Sequence, residues 1–111
     1  FRRVLFRSII REKIFEKFRD EIPYSTTVDI VEFKEEEGKK DLIRAEIYVE
    51  RESQKGILIG NQGKALKPVG ELARKDIETF LDRPVFLELH VKVREKWRES
   101  EAWLKRLGYS S

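Results

Sequence analysis

The chain has 111 residues, of which 41% are charged and 40% are apolar, and it contains no cysteine. This length suits one domain with a single modest core, and the lack of cysteine excludes disulfides and thiolate metal sites. No apolar run is long enough to span a bilayer, and no signal peptide is visible. The composition therefore predicts a globular domain with a heavily charged surface.

The formal net charge of +3 is a poor guide to function because of how the chain begins. Residues 1–8 read Phe-Arg-Arg-Val-Leu-Phe-Arg-Ser, the translation of a common sequencing-adaptor end. We interpret residues 1–8 as an adaptor artefact and residues 9–111 as the authentic domain, the alternative being a genuine basic arm. Without the arginines of that segment, 21 cations balance 21 acidic residues. An electrostatic argument must therefore rest on local charge.

Apolar side chains recur at helical spacing near the start of the chain. Ile10, Ile14 and Phe18 are four residues apart and Ile22 continues the stripe. This spacing predicts an amphipathic helix, and Pro23 should end it.

Two strands are predicted next. Residues 26–34 are rich in β-branched side chains, and their alternation slips between Ile30 and Val31, which indicates a bulge or burial on both faces. The charged stretch around Gly38 predicts an exposed turn. Residues 42–50 alternate cleanly, which predicts a half-buried strand paired with the first. Its inward residues are Ile43, Ala45, Ile47 and Val49, and its outward residues are Arg44, Glu46, Tyr48 and Glu50.

Two helices on either side of a short loop follow. Ser53 is a candidate cap for a short helix that carries residues 57–59, and the loop 60–63 interrupts it. The longer helix beyond the loop stops at residues 82–84. Its predicted buried face consists of Leu66, Val69, Ala73, Ile77, Phe80 and Leu81.

A third strand and a last helix complete the predicted order. Residues 85–94 alternate between an apolar side and a polar side that includes His90. The last helix is amphipathic and should end near Gly108; its apolar residues are Trp97, Trp103, Leu104 and Leu107. Helices on one face of a three-stranded sheet are the natural two-layer arrangement, so the predicted class is α+β.

The loop Gly60-Asn61-Gln62-Gly63 is the candidate functional site. Its two glycines can adopt positive φ and carry no Cβ, so a phosphate backbone can approach closely. Free N–H groups at the start of the next helix, together with its dipole, would favour an anion. From Ser53 to Gly70 there are three lysines and no acid, namely Lys55, Lys64 and Lys67. The alternative is a structural helix-turn-helix with solvated lysines.

At these residues the sequence resembles type II KH domains, and within them the C-terminal domain of the Era-like bacterial GTPases. The resemblance covers residues 9–109. It is carried by residues 22–25, 47–57, 59–63, 73–77, 91–93, 97–98 and 107–109. It implies a three-stranded mixed sheet with helices on one face.

The resemblance also implies a function. Such domains clamp single-stranded RNA on a GxxG loop, and Era-like proteins bind the 3′ end of 16S ribosomal RNA and assist maturation of the small ribosomal subunit. A monomer in the bacterial cytoplasm is expected, with peripheral membrane association possible by resemblance and no DNA partner. The implied RNA-binding residues are Gly60, Asn61, Gln62 and Gly63 in the loop, Ile57, Ile59 and Leu66 along an apolar groove, and Lys55, Lys64 and Lys67 at phosphates.

Two positions depart from the family pattern. Asn61 and Gln62 are neutral where the loop centre is often basic, which predicts a clamp that relies more on backbone N–H groups than on side-chain charge. Pro68 would remove one backbone bond and kink the longer helix if that helix began at Gly63.

No enzymatic constellation is present in the sequence. A phosphate-binding P-loop ending at Gly63-Lys64 would need glycine where Leu58 stands and Ser or Thr where Ala65 stands. We therefore expect no GTPase activity and no cofactor in this chain, since GTP and magnesium would belong to a GTPase domain that the chain lacks. The chain is interpreted as a piece of such a protein.

Other conspicuous residues have structural explanations. His90 lacks partners for a metal site and should be solvated, and residues 35–37 form an acidic loop tip. Trp97, Trp103 and Tyr109 are assigned to packing of the last helix, whereas Tyr48 is compatible with either a covered or an exposed position. The neutral total charge leaves one competing hypothesis, a KH-fold protein-interaction module that has lost RNA binding.

Overall fold

The computed structural model describes residues 1–19 and 26–94. In these ranges the elements are α1 (Arg2–Phe18), β1 (Thr27–Lys34), β2 (Asp41–Val49), α2 (Glu52–Ile59), a 3₁₀ turn (Asn61–Gly63), α3 (Leu66–Leu81) and β3 (Val85–Val93). The predicted order is confirmed as far as β3, and so is the α+β class. The predictions for Ile22, Pro23 and the last helix fall outside the described residues.

The three strands form one mixed sheet in the order β1-β2-β3. β1 runs antiparallel to β2, and β2 runs parallel to β3. The register between β1 and β2 shifts between Ile30 and Glu32 and leaves Val31 without a Cα partner, so the predicted bulge is confirmed. Parallel pairing of β2 with β3 requires a crossover; α2 and α3 provide it, with the candidate loop between them.

The core lies on one face of the sheet. β2 presents alternate side chains to this core, as predicted. In the layer of helices, the Lys13 ammonium of α1 forms an ion pair with the Asp76 carboxylate of α3 at 2.9 Å. The helices contribute side chains at four-residue spacing, because that spacing keeps one face of a helix towards the sheet. These buried residues are Phe6, Ile10, Ile14 and Phe18 of α1, Leu58 of α2, and Val69, Ala73 and Ile77 of α3.

Two local predictions are wrong. Phe80 is 51% exposed, because the buried row of α3 continues from Ile77 to Leu81 and Phe80 falls to one side of it. Ser53 does not cap α2, because it lies inside the helix. Instead, the Gln54 side-chain oxygen accepts the N–H groups of Glu50 and Arg51, each at 3.0 Å.

Residues 2–8 continue α1 towards its amino end. Phe6 is fully buried, and its ring meets that of Phe33 edge to face with centroids 5.0 Å apart. Val4, two residues earlier and therefore on roughly the opposite side of the helix, is 51% exposed. The interpretation of residues 1–8 as an adaptor artefact stays a prediction, because it concerns the origin of the DNA that encodes them. Whatever that origin, Phe6 packs into the core of this chain.

The opposite face of the sheet carries a network of charges. Arg44 donates one hydrogen bond to Glu88 and one to Glu32, both at 2.8 Å, and His90 lies 3.0 Å from Glu88. Tyr48, on the same side of β2, is buried at 2% exposure and donates to Glu46 at 2.8 Å. The predicted polar position of His90 is confirmed, and Tyr48 is covered rather than exposed.

This network predicts a specific effect of pH on stability. The Arg44 hydrogen bond first, and then His90, hold the pKa of the Glu88 carboxyl below its ordinary value. Because the folded-state pKa is the lower one, the stabilisation is present above the unfolded pKa, about 4.3, and is lost as pH falls further. We expect Glu88→Gln to flatten the acid limb of a plot of unfolding free energy against pH, measured in urea. An unchanged limb would contradict it.

No helix within residues 1–19 and 26–94 combines the length and apolarity that crossing a membrane requires.

Candidate nucleic-acid interface

The loop between α2 and α3 depends on its first glycine. Gly60 has φ 74° and ψ −177°, a region that only glycine adopts readily. A Cβ at Gly60 would lie 2.5 Å from the Cβ of Ala65 and 2.8 Å from its backbone nitrogen. Gly63 has φ 79° but open space around it, and Gln62 between the two is left-handed at φ 56°. The loop therefore turns tightly against the start of α3.

The backbone amides of this loop are largely used within it. The N–H groups of Gly63, Lys64 and Ala65 donate to the carbonyls of Gly60, Asn61 and Ile59 at 3.3, 3.1 and 3.1 Å. These three amides precede α3, so the prediction of free N–H groups at the start of that helix concerns the residues from Leu66 onwards and stays a prediction. α3 begins only at Leu66, and the turn before it closes its own hydrogen bonds. An anion at the loop therefore cannot use these three amides without breaking their internal hydrogen bonds.

Gly60→Ala should be markedly destabilising. The backbone strain costs about 1–3 kcal/mol and the clash with Ala65 adds to it, so we expect a loss of at least about 2 kcal/mol of unfolding free energy. Gly56→Ala is the matched control, because Gly56 lies in α2 and a Cβ added there would meet no other atom within 4 Å. That control should gain up to about 1 kcal/mol. Urea unfolding of both variants gives the comparison, and equal effects would contradict the geometric argument.

The three predicted lysines flank the loop along the chain, Lys55 in α2, Lys64 directly after the loop and Lys67 in the first turn of α3. Lys64 and Lys67 are exposed and Lys55 is half-buried. None of them pairs with a carboxylate within residues 1–19 and 26–94. Since the acid-free stretch also contributes no negative charge, this side of the molecule has a local positive potential despite the balanced total.

A shallow apolar groove of about 350 Å³ starts at the loop and runs between α3 and β3. We call it the α3–β3 groove. Its lining residues are Gly63, Leu66, Lys67, Gly70, Glu71, Arg74, Leu87 and Leu89. An apolar floor with a few polar groups at its edge suits a flat, partly polar ligand.

The structure brings only part of the predicted site together. Of the ten predicted residues, Gly63, Leu66 and Lys67 line the α3–β3 groove. Ile59 is half-buried against the core, and Ile57 is 39% exposed outside the groove. Pro68 is the third residue of α3, where the first N–H groups lack intrahelical partners, so it costs no hydrogen bond.

Five groove residues were missed by the sequence interpretation. Gly70, Glu71 and Arg74 follow Leu66 and Lys67 at helical spacing, so a face of α3 next to the loop was readable from the sequence. Leu87 and Leu89 were assigned to the core face of β3, and they also form the floor of the groove. Leu87 and Leu89 can contact both the core and the groove only because α3 packs over β3. The alternation of residues within β3 does not indicate which helix packs there.

No group of three or more His, Cys, Asp or Glu side chains in the described parts of the chain is arranged to hold a metal ion.

Comparisons with known proteins agree with this architecture. A family model described as "KH domain" matches residues 21–98. "GTPase Era" of Fusobacterium nucleatum is 50% identical over 95% of this chain and 36% of its own length, and "GTPase Era" of Geobacter metallireducens is 52% identical over 97% and 37%. A chloroplastic relative from Zea mays, "GTPase ERA1", is 52% identical over 91% of this chain and 24% of its own length.

A solved structure superposes closely. Era in complex with MgGDPNP and nucleotides 1506–1542 of 16S ribosomal RNA has a TM-score of 0.87 and 40% identity, covering 98% of this chain and 37% of that one. The chain thus spans between a quarter and somewhat more than a third of the relatives it matches. The predicted resemblance to the KH domain of Era is confirmed, and the chain belongs to the KH domain family.

Proposed function

We propose that this chain binds single-stranded RNA in the α3–β3 groove, with its phosphates at the Gly60–Gly63 loop. The observation that carries the proposal is the position of an apolar groove directly beside a glycine loop with three lysines that face no acidic partner in the described residues. Unstacked bases have flat apolar faces that a groove can cover, and a basic loop attracts the backbone between them.

The target we propose is the 3′ end of 16S ribosomal RNA, in the context of small-subunit maturation. The support is the superposition on an Era structure that contains nucleotides from that RNA. The ten residues predicted from the sequence remain the proposed contacts, with Lys64 and Lys67 at phosphates and Leu66 against a base. We also propose that the chain acts as a monomer in the bacterial cytoplasm, that it needs no cofactor, and that it does not turn over GTP.

The first test is the salt dependence of RNA binding. Contacts from Lys55, Lys64 and Lys67 to phosphates predict a slope of log K against log salt of about −2, which is roughly a fifteenfold loss of affinity between 50 and 200 mM salt. Fluorescence anisotropy with a labelled oligonucleotide of the 16S 3′ end measures it. In a Lys64→Gln/Lys67→Gln variant the slope should become shallower by about 1.4.

Two controls sharpen this test. DNA of the same sequence should bind more weakly, because it lacks the 2′-hydroxyl groups. GTP hydrolysis by this chain should stay at the buffer rate. Absence of RNA affinity, or affinity that ignores salt, would instead favour the protein-interaction hypothesis.

A further inference from the structure

Two charged side chains of opposite sign lie on the α3 wall of the groove. Glu71 and Arg74 are three residues apart on one helix, so both project to the same side, and both line the α3–β3 groove. The rest of the lining is apolar or glycine except for Lys67. A ligand over Leu87 and Leu89 would therefore meet one carboxylate and one guanidinium at its edge.

A hydrogen bond to Glu78 fixes the orientation of the Arg74 side chain. Its Nη1 donates to Glu78 Oε1 at 2.9 Å, and the other oxygen of Glu78 accepts the N–H of Val85 at 2.8 Å. Glu78 is thus fixed between α3 and the start of β3, and it fixes Arg74 in turn. A guanidinium has five N–H donors, and this bond uses one nitrogen, so part of the donor fork remains for a ligand.

Glu71 differs from Arg74 because its side chain makes no hydrogen bond or ion pair within residues 1–19 and 26–94. It is exposed, and it is the first acid after the stretch that ends at Gly70. A carboxylate only accepts hydrogen bonds at neutral pH. The groove wall therefore offers an acceptor from Glu71 and donors from Arg74, side by side.

Among the RNA bases, cytosine has the complementary edge. Its Watson–Crick edge presents the N4 amino donor followed by two acceptors, N3 and O2, which match a carboxylate followed by an arginine fork. Uracil would put O4 against the carboxylate and N3–H against the guanidinium. Guanine would put its N1–H and amino group against the guanidinium, and adenine offers Arg74 a single acceptor on that edge.

We propose that Glu71 and Arg74 select cytosine at the position seated over Leu87 and Leu89, with Glu78 as the positioning residue for Arg74. The inference rests on the proposed function, since it names the base preference of the same groove. A bidentate contact of this kind discriminates by about 1–3 kcal/mol, or about 5- to 150-fold in affinity.

The test compares short oligocytidylate and oligouridylate of equal length by fluorescence anisotropy at neutral pH. The wild-type chain should prefer cytidine by about 5- to 150-fold. Arg74→Lys keeps the charge but loses the fork, so this ratio should fall towards one, with uridine affinity kept within about twofold. Lys75→Gln, a neighbouring charge change outside the groove, should leave the ratio unchanged.

A modified RNA makes the test independent of protein folding. Oligomers of 3-deazacytidine lack the N3 acceptor, so the wild-type chain should bind them no better than oligouridylate. Equal wild-type affinity for cytidine and uridine, or a preference that survives both Arg74→Lys and 3-deazacytidine, overturns the inference while leaving RNA binding intact. Absence of any RNA binding by the wild-type chain would overturn the proposed function and this inference with it.

Discussion

A chain carrying Asn61→Asp and Gln62→Asp together should lose its affinity for a 16S 3′-end oligonucleotide by about a hundredfold or more. Both side chains are exposed at the loop tip. A carboxylate about 4 Å from a phosphate at a protein surface is opposed by about 4 kcal/mol before screening by salt. The melting temperature should stay nearly constant, because neither side chain packs and Asp tolerates the left-handed backbone of residue 62.

Lys40→Gln/Lys75→Gln is the matched control for this double variant. It lowers the net charge by the same two units, and both lysines are exposed and outside the lining of the groove. Anisotropy titrations at one fixed salt concentration separate a local effect from a change in total charge. Equal losses in the two double variants would mean that the loop does not contact phosphate.

The sheet was largely predictable because its signals are local. Strict alternation from Ile43 to Val49 matches the buried face of β2, and the slip at Ile30 and Val31 matches the bulge. A strand alternates because successive side chains point to opposite faces, so a break in the pattern is visible in the sequence itself. The burial of Phe80 was predicted wrongly because the apolar residues of α3 are compatible with more than one buried face of the helix, and spacing alone does not choose between them.

The candidate site was only half predictable. The glycine requirement was readable, and the close approach of Gly60 to Ala65 gives its physical reason. The groove could not be predicted from the sequence, because it forms only where α3 packs against β3. Nothing in the local sequence around Leu87 and Leu89 indicates that this helix lies beside them. The paired amides of Gly63, Lys64 and Ala65 were missed for another reason, namely that a 3₁₀ turn before α3 closes hydrogen bonds which a helix starting at Gly63 would leave open.

This difference changes how the loop is thought to attract RNA. With three amides already bonded inside the turn, the proposed function assigns a larger share of the attraction to Lys64 and Lys67 than the neutral centre of the loop suggested. The same proposal assigns base recognition to the wall and floor of the groove, where Arg74 is anchored through Glu78 to β3. We therefore expect phosphate contacts to set the affinity and its salt dependence, and the groove to set the preference among bases.

The amino-terminal segment gives the largest expected effect on stability. Phe6→Ala should lower the unfolding free energy by about 3–5 kcal/mol, the usual cost of truncating a fully buried phenylalanine, since Phe6 packs edge to face on Phe33. Val4→Ala in the same segment should cost less than about 0.5 kcal/mol, because Val4 is half exposed. Urea unfolding of both variants measures the difference.

If the two losses of unfolding free energy are equally small, residues 1–8 do not pack in solution and the domain folds from residue 9 onwards, as the adaptor interpretation expects. A large loss of unfolding free energy for Phe6→Ala alone would mean that residues 1–8 pack against the core in solution, whatever the origin of the DNA that encodes them.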